Sequence, residues 1–222
     1  MIVSREPKIY DSLIFDLDGT LWDSTSACAS AWNTALKKIE IERETPLTPE
    51  DIGRMMGFPI AKIFENFFPD MSEERRESAA KACFKEQIEI IRQKGAILYP
   101  GVQKGLFQLS EKYQLFIVSN CQQIYLDTFF HHSGLKKLFK DTECHGNTKR
   151  PKGENIGLVV KRNSLQKPVY VGDTAGDHES AVMAGVPYFH VNYGFGITSK
   201  PCMKFDNFEE LVRHFLEPWQ IS

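Results

Sequence analysis

The chain has 222 residues, of which 42% are hydrophobic, 12% aromatic and 25% charged. This composition is typical of a globular protein with a sizeable core, and it excludes a mostly disordered, fibrous or membrane-embedded chain. The net charge of −2 provides no overall positive field, which argues against a general nucleic-acid-binding role.

Cysteine usage and the N-terminal sequence predict a cytoplasmic protein. The 5 cysteines are odd in number, widely spaced and without a C-x-x-C pair, a pattern that favours reduced thiols over a disulfide framework or a zinc site. The N-terminal sequence MIVSREPKIYDS mixes charges with turn-forming residues and lacks the apolar segment of a signal peptide. No apolar run is long enough to span a membrane.

Short apolar runs that end in polar residues predict the buried strands of a parallel sheet. Helical patterns alternate with these runs, which predicts a doubly wound, Rossmann-like α/β fold. The predicted strands are 12–15, 115–118, 169–171 and 186–191, and the predicted helices of this region are 102–112, 122–132, 154–162, 179–184 and 207–217.

The strand pattern disappears between residues 22 and 98, where four helices are predicted instead. Pro49 and Pro59 stand at favoured first positions of two of them, and Ser72 is a suitable N-cap for the longest. The pattern therefore predicts a separate helical module, called the cap below, inserted after the first strand of a core domain. The predicted helices are 24–40, 49–56, 59–67 and 72–94; the predicted domains are a core of 1–21 with 99–222 and a cap of 22–98, with hinges at 21–23 and 95–101.

Two carboxylates, Asp16 and Asp18, follow the first predicted strand. If the extended geometry continues that far, its period of two places both carboxylates on the same side. No cation is adjacent in sequence, so the two would repel each other unless a metal ion or a proton is supplied. An ordinary turn after a strand is the alternative explanation, since Asp and Gly19 are common turn formers.

A second acidic pair, Asp173 and Asp177, follows the strand predicted at 169–171. Asp177 also suits the first turn of a helix, where negative charge is favourable, but that explanation does not cover Asp173. The carboxyl ends of parallel strands meet at one edge of a sheet. Together with Asp16 and Asp18, the pair therefore predicts an oxygen-rich site of four carboxylates, which suits Mg²⁺ best.

Groups that can bind an anion are predicted at the same edge of the sheet. Ser119 and Asn120 end a strand, where a hydroxyl and backbone amides can hold an anion, although Ser-Asn is also a common helix-capping pair. Lys152 precedes a predicted helix and can reach the same crevice, and Lys149 is its nearest competitor. The basic cluster 149–152 leaves an RNA-binding alternative, which the acidic net charge opposes.

In combination, these segments resemble the four motifs of the haloacid dehalogenase-like (HAD) hydrolases. The D-L-D-G-T segment at 16–20, the strand-terminal Ser119, the lysine at Lys152 and the G-D-x-x-x-D segment at 172–177 occur in the order of the family's motifs. The helical insertion resembles the type 1 cap of the phosphoglycolate phosphatase-like branch. Lys152 is followed by Gly-Glu-Asn where Pro-x-Pro is common in that branch, so Lys149 stays open as the alternative.

The resemblance implies hydrolysis of a phosphate ester through an aspartyl-phosphate, with Mg²⁺ as cofactor. At the matching positions, Asp16 is the nucleophile, and Asp18 is the general acid and base that also offers its backbone carbonyl to the metal. Dehalogenases lack the second aspartate, so Asp18 favours phosphoryl transfer. The residues implied for the metal site are Asp16, Asp18, Asp173 and Asp177, and those implied for phosphoryl binding are Ser119, Asn120 and Lys152.

We therefore expect a magnesium-dependent phosphatase for a small phosphorylated metabolite of the phosphoglycolate kind. The cap segment 51–57 is expected to face the crevice, with Arg54 either contacting a second anionic group or lying on a solvated helix face. The alternatives are a phosphosugar mutase of the β-phosphoglucomutase kind, a pyrophosphatase and a non-catalytic binding protein on the same scaffold. We expect a monomer or homodimer with no nucleic-acid or membrane partner.

Overall fold

The computed structural model describes residues 10–198 and 203–217, so Cys202 lies outside the described residues. Its strands are β1 (Ser12–Phe15), β2 (Trp22–Asp23), β3 (Ile97–Leu98), β4 (Gln114–Ser119), β5 (Phe139–Cys144), β6 (Pro168–Gly172), β7 (Tyr188–Val191) and β8 (Met203–Phe205). Its α-helices are α1 (Thr25–Lys38), α2 (Pro49–Met55), α3 (Ile60–Phe67), α4 (Glu73–Lys94), α5 (Val102–Ser110), α6 (Gln123–Ser133), α7 (His145–Thr148), α8 (Lys152–Arg162), α9 (Ala175–Met183) and α10 (Phe208–Leu216).

The predicted α/β fold is confirmed by a six-stranded parallel sheet in the order β5-β4-β1-β6-β7-β8. β1 lies at its centre between β4 and β6, and every residue of β1 is buried. Leu13 and Phe15 pack into a large apolar cluster that continues into the cap helices, while Ile14 packs on the opposite face against α8 and α9. The alternation of side chains along a strand thus explains why an uninterrupted apolar run belongs in this position.

Two strands of the six-stranded sheet, β5 and β8, were not predicted from the sequence, and neither were the short strands β2 and β3. β5 is an edge strand with the polar sequence F-K-D-T-E-C, and its acidic side chains are neutralised by Arg162 of α8. The guanidinium of Arg162 pairs with both Asp141 and Glu143. β8 has only three residues and forms the opposite edge. Edge strands bury fewer side chains than central ones, so their sequences carry a weaker apolar signal.

The helices α1 to α4 form a layer over the carboxyl end of the sheet. Within this layer, the indole Nε1 of Trp32 in α1 donates to Gln87 Oε1 in α4 at 2.8 Å. The chain enters the layer through β2 and leaves it through β3, and these strands pair antiparallel. The predicted hinge segments 21–23 and 95–101 therefore contain two strands that lie side by side. Pro59 is the N-cap of α3 and not its first residue, a small correction to the prediction.

In the part of the chain that the structure describes, no helix combines the length and apolar character needed to cross a bilayer.

Replacing Phe129 by alanine is expected to lower the free energy of unfolding by about 3–5 kcal/mol, because it removes a large ring from a filled core. Phe129 of α6 is 0% exposed and its ring lies 5.0 Å from that of Trp22. The matched control is Phe107→Ala in α5, where the side chain is 51% exposed and the expected change is below about 1 kcal/mol. Denaturant titration measures both values, and equal losses would contradict this account of the core.

Candidate active site

The carboxyl end of the sheet brings together five buried polar residues from four segments of the chain. Asp16 follows β1, Ser119 ends β4 and Asp173 follows β6, so the three lie on adjacent strands. Lys152 is the first residue of α8, and Asp177 lies in the first turn of α9. None is more than 4% exposed.

Lys152 connects two of the carboxylates. Its Nζ lies 2.9 Å from Asp16 Oδ1 and 2.6 Å from Asp177 Oδ1. Burial alone would lower the pKa of Lys152, but the two carboxylates outweigh it and raise the pKa, so the ammonium stays charged. Lys149, the alternative left open by the sequence, is exposed, and its Nζ donates to the Gly146 carbonyl oxygen.

Gly153, the residue after Lys152, helps to explain why this chain lacks the Pro-x-Pro that is common after the lysine in the phosphoglycolate phosphatase-like branch. Gly153 packs against Met183 of α9, and a Cβ at this position would lie 2.6 Å from the Met183 Sδ. Glycine therefore permits the close approach of α8 to α9, which brings Lys152 next to Asp177.

Asp177 has a structural role as well as its contact with Lys152. Its Oδ2 accepts hydrogen bonds from the backbone N and the Oγ1 of Thr174, and the Thr174 hydroxyl in turn caps the Asp177 amide. This is a capping box at the start of α9. Burial alone would raise the pKa of Asp177, but the charge and hydrogen bond of Lys152 reverse the effect and lower it. Asp177 therefore both caps the start of α9 and forms an ion pair with Lys152.

Asp16, Asp173 and Asp177 form a cluster in which one oxygen of each lies within 4.8 Å of the others. Burial, reinforced by the charges of Asp177 and Asp16, raises the pKa of Asp173. Burial, opposed by the charge of Lys152, raises the pKa of Asp16 to about 7. The cluster thus holds three carboxylates against one ammonium group, and the excess negative charge on hard oxygen ligands suits a divalent cation such as Mg²⁺.

The carboxylate of Asp18 lies outside this cluster, so the structure contains three clustered carboxylates where the sequence predicted four. β1 ends at Phe15, and the chain turns before the period of two can carry over to Asp18. The Oδ1 of Asp18 instead accepts hydrogen bonds from three donors. Burial raises the pKa of Asp18, and these hydrogen bonds act in the opposite direction. The three donors are Trp22 Nε1, Ser24 Oγ and the Tyr125 hydroxyl.

Gly19 lets the turn after Asp18 pass close to Asp173. Its φ is +84°, and a Cβ at this position would lie 2.2 Å from Asp173 Oδ2. Both the backbone conformation and the space therefore require glycine. The backbone N of Phe195 donates to the same Asp173 oxygen at 2.7 Å and fixes the carboxylate from the other side.

Ser119 and Asn120 line a cavity together with Asp16, Asp18 and Lys152. Ser119 is 4% exposed, and its Oγ accepts a hydrogen bond from the backbone N of Cys121. The side chain of Asn120 makes a contact that the sequence did not indicate, because its Nδ2 donates to the Gly57 carbonyl oxygen at 2.8 Å. This hydrogen bond joins the core loop to the segment between α2 and α3.

The cap segment 51–57 faces the cavity, but Arg54 does not. Ile52, Met55, Met56 and Gly57 contribute to the cavity wall. The side chain of Arg54 is 72% exposed and its NH1 lies 3.4 Å from Asp51 Oδ1. Of the two interpretations of Arg54, the structure supports the solvated helix face.

The residues that hold Asp18 were missed by sequence reasoning. Trp22 and Ser24 follow Asp18 so closely that a turn returning them to its carboxylate could have been considered. Tyr125 lies 107 positions away and carries no such local signal.

The chain matches the family model of the haloacid dehalogenase-like hydrolases over residues 13–191. It belongs to this family. The match confirms the predicted family and agrees with the predicted enzyme class, a HAD-like phosphatase. The match spans all five buried polar residues at the carboxyl end of the sheet.

Individual relatives are distant but cover nearly all of the chain. A protein of Dickeya dadantii named a probable phosphatase, IndB, is 28% identical over 90% of this chain and 91% of its own length. The phosphoglycolate phosphatase of Vibrio cholerae is 27% identical over 82% of this chain and 84% of its own length. A haloacid dehalogenase-like hydrolase structure from Streptococcus pneumoniae superposes with a TM-score of 0.82 at 20% identity, covering 94% of this chain and 100% of that one, which supports the fold.

Asp173→Asn is expected to raise the melting temperature of the metal-free protein, because it removes one of three mutually repelling buried carboxylates. A rise of about 2–4 °C corresponds to about 1 kcal/mol for a chain of this size. Magnesium is expected to raise the melting temperature of the wild type, since a ligand that binds only the native state stabilises it. The variant is expected to lose most of that magnesium effect.

Thermal melts in chelator and in saturating magnesium measure both effects. Asp127→Asn is the matched control, because Asp127 is exposed on α6 and outside the cluster, and its response to magnesium is expected to equal that of the wild type. An equal magnesium effect in Asp173→Asn and wild type would contradict a metal site at this cluster.

Proposed function

We propose that this enzyme is a magnesium-dependent phosphatase that hydrolyses a small phosphorylated metabolite through an aspartyl-phosphate on Asp16. The observation that carries the proposal is the buried contact of Lys152 with Asp16 and Asp177 beside an unbalanced third carboxylate, Asp173. A site with one ammonium group and excess carboxylate oxygen suits a reaction in which a metal cation and a phosphate dianion bind together.

Asp16 is suited to attack phosphorus. Its Oδ1 is fixed by the Lys152 ammonium, which also offsets part of the repulsion between the carboxylate and the phosphate. The carboxylate forms a bond to phosphorus as the bond to the leaving alcohol oxygen breaks. Asp16, Asp173 and Asp177 are the residues that would hold Mg²⁺, with the Asp18 backbone carbonyl as a further ligand by family resemblance. When bound, the ion supplies positive charge to the phosphoryl oxygens.

Asp18 is suited to transfer protons. Burial raises its pKa, which favours the protonated form that a general acid requires. Its Oδ1 accepts from three donors, of which Trp22 Nε1 can only donate. The exchangeable proton therefore belongs on Oδ2, which would protonate the leaving alcohol oxygen and later take a proton from the water that cleaves the aspartyl-phosphate.

The remaining groups would bind the phosphoryl oxygens. The Ser119 hydroxyl, the Asn120 backbone amide and the Lys152 ammonium all belong to the wall on which Asp16 lies. The Asn120 side chain is occupied by the cap, so we assign only its backbone to the phosphoryl group.

The lining of the cavity favours a monophosphate over the substrates of the alternative functions. A phosphosugar mutase or a pyrophosphatase binds a second phosphate, which requires further positive charge. Among the described lining residues, Lys152 is the only lysine or arginine. A non-catalytic binding protein would have no need for three buried carboxylates gathered around a single ammonium group.

We also propose a cytoplasmic location, with the small metabolite as the main partner. The described cysteines Cys28, Cys83, Cys121 and Cys144 are free thiols, which suits a reducing compartment. A monomer or homodimer without nucleic-acid or membrane partners stays our prediction.

Lys152→Met is expected to lower kcat/KM for p-nitrophenyl phosphate at least about 100-fold, because a charge aimed at the reacting group is lost. Lys149→Met, the same substitution on an exposed lysine three positions away, is expected to change kcat/KM less than about twofold. Magnesium-dependent phosphate release measures both. A large loss of kcat/KM in Lys149→Met, with kcat/KM retained in Lys152→Met, would contradict the assignment of Lys152 as the phosphoryl-binding lysine.

A further inference from the structure

A cavity of about 190 Å³ extends from the catalytic carboxylates into the cap. The cap side of its wall is largely apolar, and its members come from helices α1 to α4 and the loop between α2 and α3. They include Trp32, Ile52, Met55, Met56, Phe58 and Phe84. A phosphate ester bound at Asp16 would therefore have its leaving group directed against hydrocarbon and aromatic surface.

In the described parts of the chain, the cap wall supplies no cation for a second anionic group of the substrate. Lys152 is the only lysine or arginine among the described lining residues, and its Nζ already contacts Asp16 and Asp177. The other basic lining residue, His145, belongs to α7 of the core and has its Nδ1 3.1 Å from the Arg150 carbonyl oxygen. A carboxylate on the leaving group would lose its hydration without gaining a counter-charge from the cap, which is costly.

Gln87 of α4 gives the apolar wall one polar group. It is only 8% exposed, and its Oε1 accepts from Trp32 Nε1 at 2.8 Å. An indole N–H can only donate, so this bond fixes the amide with Nε2 as the free end. Within the described residues, Gln87 Nε2 has no hydrogen-bond acceptor. Every described side-chain nitrogen or oxygen that is fully enclosed has a hydrogen-bond partner, so Nε2 is not fully enclosed. The Nε2 donor is therefore open to the cavity that Gln87 lines.

We propose that the cap selects phosphomonoesters whose leaving alcohol is uncharged and mostly apolar and carries a hydrogen-bond acceptor for Gln87 Nε2. The inference rests on the proposed phosphatase function and names its substrate class. It also separates this enzyme from its phosphoglycolate phosphatase relatives, because glycolate carries a carboxylate close to the phosphate. Gln87 is here a specificity-determining residue and takes no part in the chemical step.

Three alkyl phosphates of equal chain length test the proposal on the wild-type enzyme. They are hexyl phosphate, 5-oxohexyl phosphate with a neutral acceptor, and 6-phosphonooxyhexanoate with a carboxylate. Their distinguishing groups lie far from the ester oxygen, so their intrinsic reactivities are similar. We expect the 5-oxohexyl ester to exceed hexyl phosphate in kcat/KM about fivefold, the value of one hydrogen bond. Hexyl phosphate should exceed the carboxylate compound at least about 30-fold, and phosphoglycolate should also be poor.

Gln87→Glu tests the donor with the least disturbance. The glutamate keeps an oxygen to accept from Trp32 Nε1 but replaces the Nε2 donor by a second acceptor. We expect the 5-oxohexyl to hexyl ratio of kcat/KM to fall to about one or below. The ratio cancels any general effect of the new charge on phosphate binding. Gln93→Glu is the matched control on the exposed face of α4 and should leave the ratio unchanged.

The possible outcomes distinguish a failure of the inference from a failure of the proposed phosphatase function. A preference for phosphoglycolate or 6-phosphonooxyhexanoate, abolished by Asp16→Asn, would overturn the inference and leave the phosphatase function standing. A 5-oxohexyl to hexyl ratio that Gln87→Glu does not change would remove Gln87 from the recognition of the substrate. Release of phosphate from p-nitrophenyl phosphate but from none of the four esters would overturn the inference alone. No release from p-nitrophenyl phosphate or from any of the four esters in magnesium would overturn the proposed function and the inference with it.

Discussion

The ammonium group of Lys152 holds two buried carboxylates, and the arrangement of the candidate site depends on this interaction. Asp16 and Asp177 come from different segments, and both lie within 2.9 Å of the same nitrogen. Removing one member of such a buried network leaves uncompensated charge, at a cost of about 3–5 kcal/mol. The ion pairs also attach the starts of α8 and α9 to the end of β1. The same contacts that stabilise this edge of the sheet thus orient the carboxylate proposed as the nucleophile.

The segments predicted as core and cap contribute different kinds of side chain to the cavity. Among the described lining residues, the charged groups lie at the end of β1, in the turn after it and at the start of α8, whereas the cap contributes mainly apolar side chains together with the amide of Gln87. The hydrogen bond from Asn120 to the Gly57 carbonyl joins the two close to the phosphoryl site. Closure of the cap would exclude water from the phosphoryl site. Because the same wall contacts the leaving group, only substrates whose leaving group fits the wall would allow closure and reaction. Substitutions in the cap wall can then change substrate preference without altering the carboxylate network.

The sequence predicted the parts of the site that depend on local order along the chain. Asp16, Ser119 and Asp173 each follow an apolar strand, and the topology of a parallel sheet makes strand ends meet. The sequence favoured Lys152 over Lys149 by its position before a predicted helix and by family resemblance, but it left both open. The contact with Asp16 requires the three-dimensional structure. The polar edge strand β5 was missed because its charges are neutralised by Arg162, 19 to 21 positions away.

Side-chain direction after a turn was beyond sequence reasoning. The Asp18 carboxylate lies outside the carboxylate cluster because β1 ends one residue before Asp16 and the chain then turns. One hydrogen-bond donor to Asp18, the Tyr125 hydroxyl, comes from α6, far away in the sequence. The pairing of Trp32 with Gln87 spans 55 positions and joins two helices whose mutual rotation no periodicity specifies. A helical pattern predicts which face is apolar, but it does not predict which polar atom of that face is left open to a cavity.

The central claim is that Asp16 accepts the phosphoryl group. The most direct measurement is acid quenching of the Asp18→Asn variant during reaction with p-nitrophenyl phosphate and magnesium, followed by peptide mass spectrometry. Nitrophenolate leaves without a proton, whereas hydrolysis of the intermediate needs the Asp18 carboxylate, so a phosphoryl group is predicted to accumulate on the peptide that contains Asp16. Release of nitrophenolate with no phosphoryl group on that peptide, or its undiminished release by Asp16→Asn, would contradict the account.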